Sequence, residues 1–96
     1  MKIYLDDIRT APEGWVLVKT AQDAIGLLKS NKVSEISLDH DLGDAINGTG
    51  YDVVLWIEQE IYMGNYIPPK IIIHSANVPA REKMEAGIKS ILRLKQ

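Results

Sequence analysis

Short apolar runs alternate with stretches of helical periodicity along this chain. Lys2-Ile3-Tyr4-Leu5 is a short apolar strand that ends at Asp6-Asp7, and Trp15-Val16-Leu17-Val18 is a second, β-branched run. Pro12 and Gly14 mark the stretch between them as a loop. Thr20 is placed to cap a helix, with Asp23 at the third helical position as an Asp variant of the capping box. Ala21, Ala24, Ile25 and Leu28 then fall at i, i+3, i+4 and i+7, which makes one apolar stripe. Glu35-Ile36-Ser37-Leu38-Asp39 is a third strand, running into His40-Asp41 and a loop that carries Gly43, Gly48 and Gly50. A second helix is predicted over Tyr51 to Met63, stopping at Gly64-Asn65. Pro68-Pro69 introduces a fourth strand, Lys70-Ile71-Ile72-Ile73, which ends at His74-Ser75. Residues 79 to 94 read as a last helix with Met84, Ile88, Ile91 and Leu92 as its buried face. Gly87 interrupts that helix at a cost of about 1 kcal/mol relative to Ala.

Strands that alternate with helices imply a mostly parallel sheet covered on both faces, a three-layer α/β sandwich. The link between the first two strands is the awkward join. It holds about eight residues, whereas a parallel crossover normally needs a dozen or more. Either the first crossover helix is reduced to a turn, or the second strand runs antiparallel at an edge. The continuous stretch GWVLVKTAQDAIGLL favours the reduced helix, because it reads as a strand leading straight into the next helix.

Composition narrows the classes. Ninety-six residues, 46% hydrophobic and 25% charged, suit one globular domain over residues 1–96 and exclude a disordered chain. A chain so short buries a modest share of its surface, so association or a host polypeptide would help it. Net charge is −2 with no basic run, so duplex nucleic acid has no electrostatic footprint here. The absence of cysteine excludes disulfides, thiolate nucleophiles and cysteine zinc sites. Two carboxylates in MKIYLDDIR do not fit a signal peptide, and the apolar run Val53 to Ile57 is too short to span a bilayer, so a cytoplasmic location is expected.

Three strands end in polar clusters: Asp6-Asp7, Asp39-His40-Asp41, and His74-Ser75 with Asn77. Open parallel sheets bind ligands at the carboxyl ends of their strands, where strand order reverses. With the order 2-1-3-4 these three ends are neighbours. Asp6, Asp7, Asp39 and Asp41 would repel one another unless protons or a hard cation intervene, which points to Mg²⁺ or Mn²⁺. His40 and His74 are the two histidines of the chain, and a pair of imidazoles flanking a phosphodiester suits general acid–base opening of a cyclic phosphate. Ser75 would hydrogen-bond a phosphoryl oxygen, and Asn77 would orient the ligand or a water. Gly48-Thr49-Gly50-Tyr51 opens a helix, whose free N–H groups favour an anion. Arg9 would add a forked cation. Blander readings stand beside these: Asp7 holding its own loop and pairing with Arg9, Thr49 as a plain cap, Trp15 and Trp56 as core.

LDDIR, SLDHDLG, TGYDV with a following Trp, and IIHSAN, in this order and spacing, resemble the cyclic-phosphate processing receiver-like family. The resemblance covers about residues 3 to 84. It implies a compact receiver-like, flavodoxin-like fold with the parallel order 2-1-3-4, and an activity on cyclic phosphates of RNA ends or nucleotide derivatives. Carried over by motif, the site residues are Asp6, Asp7 and Arg9; Asp39, His40 and Asp41; Gly50, Tyr51 and Asp52; and His74, Ser75 and Asn77. The fifth strand of an ordinary receiver, with its lysine, is missing. That loss argues against aspartyl-phosphate signalling through Asp39.

The expected function is therefore a phosphoesterase, with His40, His74, Asp39 and Asp41 as catalytic groups. Arg9, Gly50, Tyr51, Asp52, Ser75 and Asn77 would bind substrate, and Asp6, Asp7 and Asp39 would hold metal. The expected partner is a small phosphorylated ligand or an RNA end, with no membrane and no duplex. The alternatives are a module that binds a cyclic-phosphate nucleotide without turnover, a degenerate phospho-accepting receiver, and a protein-binding domain with a vestigial site.

Overall fold

A computed structural model describes residues 1–95. The chain runs β1 (Lys2–Leu5), β2 (Trp15–Val18), α1 (Ala21–Leu28), β3 (Glu35–Leu38), a 3-10 turn (Ala45–Asn47), α2 (Gly50–Met63), β4 (Lys70–Ile73) and α3 (Val78–Lys95). The four strands form one sheet in the order β2-β1-β3-β4, and every neighbouring pair is parallel. The second strand is thus a parallel neighbour of the first, and the residues between them form bends and a turn rather than a helix. Trp15 N–H donating to Pro12 O at 3.1 Å and Gly14 at φ +86 make that short return possible, since a positive φ is cheap only for glycine.

The register sorts the sheet into two faces. Ile3 is level with Val16, Ile36 and Ile71, and Leu5 with Val18, Leu38 and Ile73. These rows face the helices, where Ile3, Leu5, Ile36 and Leu38 are fully buried, while Val16 on the edge strand stays exposed. Burying each such side chain contributes about 1.5–3 kcal/mol. Ala24 and Leu28 of α1, Val53, Val54 and Ile57 of α2, and Met84 and Ile91 of α3 close the same core. Two crossovers that carry the chain the same way across a sheet put their helices on the same face, which accounts for α1 and α2. The last helix, α3, packs against α2, with Gly87 lying over Val54. A Cβ at position 87 would stand 2.6 Å from Val54 Cγ1, so the glycine permits the close approach. Leu92, expected in the buried face of α3, is instead exposed.

All three helices lie on one face, and the layer expected on the other is not supplied by the described residues. The cause is the β1–β2 link, too short to carry a helix. Trp15 therefore packs edge-to-face on Tyr4 on the open side, while Trp56 lies against the core. No helix among the described residues is long and apolar enough to cross a membrane.

Candidate functional site

Asp6, Asp39 and His74 come together for a reason of register. Each follows the last residue of its strand, and Leu5, Leu38 and Ile73 are level across the sheet. Backbone pairing continues one step further, with Asp39 N–H donating to Leu5 O at 2.9 Å and His74 N–H to Leu38 O at 2.9 Å. Side chains alternate along a strand, so the three emerge on the open face, in line with Tyr4, Ser37 and Ile72.

The inner half of the site is a closed network around Asp6, which is 1% exposed. Asp6 Oδ1 accepts from the amides of Ile8 and Arg9, each at 2.8 Å, and Oδ2 accepts from Arg9 Nη1 at 3.2 Å. His74 Nε2 lies 3.0 Å from the same Oδ2, and Nδ1 lies 2.7 Å from Ser37 Oγ. The Tyr4 ring stacks on the imidazole at 4.2 Å and 4°. Burial pushes the Asp6 carboxyl up, but the Arg9 and Ile8 amides and His74 outweigh it and hold it below its usual value. An ionised Asp6 accepts from His74 Nε2–H, and in the neutral imidazole that leaves Nδ1 to accept from the Ser37 hydroxyl. Arg9 Nη1 also donates to His74 O at 3.2 Å, tying the first strand's exit to the fourth's.

The outer half is looser. His40 Nδ1 is 3.0 Å from Asp41 Oδ1, and its Nε2 has no hydrogen bond among the described residues. Asn77 Nδ2 donates to Asp41 Oδ2 at 3.2 Å, while Asn77 Oδ1 accepts from the Ala80 amide at 3.1 Å and so caps α3. These bonds, from His40 first and then Asn77, hold the Asp41 carboxyl below its ordinary value. Asp39 stands between the halves. Burial raises its carboxyl, the His40 amide at 2.9 Å lowers it, and the Asp6 charge raises it again; the net direction is up.

Asp6, Asp7, Arg9, Asp39, Asp41 and Asn77 line one cleft of about 440 Å³, together with Ile8, Gly43 and Ala76. A hollow of about 600 Å³ between β2 and α1 is larger, but Lys19 and Asp23 are its charged lining and none of the strand-end residues Asp6, Asp7, Asp39 or Asp41 lines it; neither hollow is lined by a histidine. Ser75 is 4% exposed, and its hydroxyl accepts from the Asn77 amide at 3.1 Å, inside the turn rather than at the cleft. The TGYDV segment is likewise spent on structure. Thr49 and Asp52 form a complete capping box for α2, whereas at Thr20 only the bond from the Asp23 amide forms. Gly50 N–H donates to His40 O at 3.1 Å, and a Cβ there would run into the Asp39 carbonyl. Tyr51 lies against the core with Lys83 Nζ over its ring at 4.1 Å.

The family model of the cyclic-phosphate processing receiver domain matches residues 1–90. The chain belongs to that family. No curated protein and no solved structure matches it.

In this receiver domain Asp6, Asp39 and His74 each offer one ligand atom, all within 4.8 Å of one another, and His74 would do so by exchanging a ring-nitrogen hydrogen bond for the ion. Two carboxylates and one imidazole suit a divalent cation that accepts both oxygen and nitrogen, Mn²⁺ more readily than Mg²⁺. His74 thus joins Asp6 and Asp39, whereas Asp7 of the expected metal set lies outside the group and faces the cleft near Gly43. Ser37 and Tyr4 are neighbours of His74 that the sequence motifs did not single out. Ser37 is a lone hydroxyl inside an apolar strand, one row below His74, and that placement becomes visible only with the parallel register.

Proposed function

We propose that this receiver domain takes a cyclic phosphate into the cleft bounded by Arg9, Asp39, Asp41 and Asn77 and opens it by hydrolysis. The carrying observation is Asp41, which lines that cleft and pairs with His40 Nδ1 at 3.0 Å; His40 itself stands behind the lining, reaching it through Asp41. Asp41 accepts the Nδ1 proton and leaves Nε2 as the basic nitrogen, an arrangement suited to general base catalysis. His40 Nε2 takes a proton from water as the water oxygen bonds to phosphorus. One ring P–O bond breaks, and the departing alkoxide recovers that proton, giving a phosphomonoester. Arg9 is half-exposed, and its guanidinium N–H groups beyond the bond to Asp6 serve the phosphoryl oxygens. A divalent cation held by Asp6, Asp39 and His74 would supply further charge stabilisation when bound.

A second reading, capture without turnover, draws on His74. Both of its ring nitrogens are engaged, by Asp6 and by Ser37, so one imidazole instead of two is left for proton transfer. Phosphorus NMR of 2′,3′-cyclic nucleotides, an RNA 2′,3′-cyclic end and ADP-ribose 1″,2″-cyclic phosphate separates the two, run with Mg²⁺, with Mn²⁺ and with chelator. Catalytic conversion of any member to the monoester supports hydrolysis. A stoichiometric shift without conversion supports capture. No shift and no conversion across the panel removes both.

A further inference from the structure

The open sheet face is an anomaly of this fold. All-parallel sheets occur almost only with both faces covered, because their strands carry apolar residues on each side. The uncovered face here has two rows, read in the order β2-β1-β3-β4. The lower row is Trp15, Lys2, Glu35, Lys70, and the upper is Leu17, Tyr4, Ser37, Ile72. Leu17 and Ile72 remain 38% and 37% exposed, at opposite edges of the upper row.

We infer that this face is covered by a second copy of the same chain, stacked sheet on sheet about a two-fold axis parallel to the strands and lying between β1 and β3. Such an axis exchanges β1 with β3 and β2 with β4. It therefore sets Lys2 against the partner's Glu35, Trp15 against the partner's Lys70 and Leu17 against the partner's Ile72, while Ser37 stays buried at 5% exposure beside its own His74. These three pairs are complementary: an ion pair, a cation over an indole, and two aliphatic side chains. Two-fold symmetry repeats each one. The same charge pattern already works within one chain, where Lys2 Nζ lies 3.9 Å from Glu35 Oε2 and 5.6 Å from the Trp15 ring. Sheet twist turns stacked sheets by about 30°, so the pairs nearest the axis, those of Lys2 with Glu35, meet best.

The area sets the strength. Strands about 4.8 Å apart and about 3.3 Å long per residue give a face of roughly 19 by 13 Å. That is well below the ~800 Å² per partner of a standard interface, so the association is weak and reversible. Because the axis runs parallel to the strands, both clefts lie at the same end of the dimer. The inference stands apart from the phosphate chemistry and survives its failure.

Sedimentation velocity of the full chain from about 10 µM to about 1 mM tests it, with two-dimensional NMR over the same range. A monomer–dimer equilibrium is expected, with concentration-dependent shifts at Tyr4, Trp15, Leu17 and Ile72. Leu17→Glu and Ile72→Glu each weaken it by about tenfold or more. Both are surface changes, and circular dichroism checks that the variants fold. Lys2→Glu and Glu35→Lys each weaken association, and the double exchange restores it, which a merely structural role would not produce. A monomer throughout the range overturns the inference, leaving the face to some other protein or to solvent. So does a dimer whose shifts fall elsewhere, such as the groove of Leu55, Tyr62 and Leu94 between α2 and α3, or one indifferent to all four substitutions.

Discussion

The two histidines of this receiver domain lie at the ends of neighbouring strands and live in different physical settings. His74 is clamped: Asp6 and Ser37 hold its two nitrogens, and Tyr4 covers its ring. His40 is held by one nitrogen, against the exposed carboxylate of Asp41. The clamped ring belongs to a network in which each buried polar atom has a partner, and such networks fix geometry. The half-held ring can pass a proton without breaking anything else. On the proposed hydrolytic reading the two imidazoles divide the labour, His74 as part of the frame and His40 as the moving part.

Breaking the frame gives the largest effect. Asp6→Ala strands the Ile8 and Arg9 amides, the Arg9 guanidinium and His74, and is expected to cost about 3 kcal/mol in denaturant unfolding. Breaking the moving part does the opposite. His40→Ala is expected to lower turnover by about 100-fold while changing stability by less than about 0.5 kcal/mol. Asn77→Ala touches both halves. It removes a helix cap and the hydrogen bond to Asp41, for a loss of about 1 kcal/mol measured by thermal unfolding, with a raised KM.

The smallest effects are in pH dependence, and their signs differ across the site. Asp6 titrates lower folded than unfolded, so its contribution is complete above the ordinary carboxylate range, near pH 4. It is lost as pH falls through the depressed folded value. Asp39 titrates higher folded than unfolded. Its contribution is complete below about pH 4 and is lost as pH rises through the raised value. Asp39→Asn is therefore expected to stabilise the domain at neutral pH by up to about 1 kcal/mol and to do nothing near pH 3, while Asn Oδ1 still accepts the His40 amide. Unfolding curves at the two pH values check both the gain and its disappearance.

The elements were legible from apolar spacing, because four short β-branched runs and three amphipathic stretches each bury one side. The strand order and parallel sense followed from the resemblance and from the strand-into-helix reading after Trp15. What the pattern could not give was the missing layer. Tyr4, Leu17 and Ile72 look as apolar as core residues, and only the register shows that no helix of the described chain reaches them. The site divides in the same way. The strand-end clusters located it, since polar residues after three parallel strands must meet once those strands are neighbours. Which polar groups face the cleft depends on turns that read alike in sequence: Ser75 folds into its own turn, and Asp52 is spent on a cap.

The most direct test of the division between the histidines is a phosphorus NMR time course of a cyclic phosphate that the wild-type domain opens, repeated with His40→Ala at equal folded concentration. The variant is expected still to shift the substrate resonance on binding, with conversion to the monoester slowed by about 100-fold. Conversion at the wild-type rate in a folded His40→Ala domain would contradict that division and return the proton transfer to His74 or to a carboxylate.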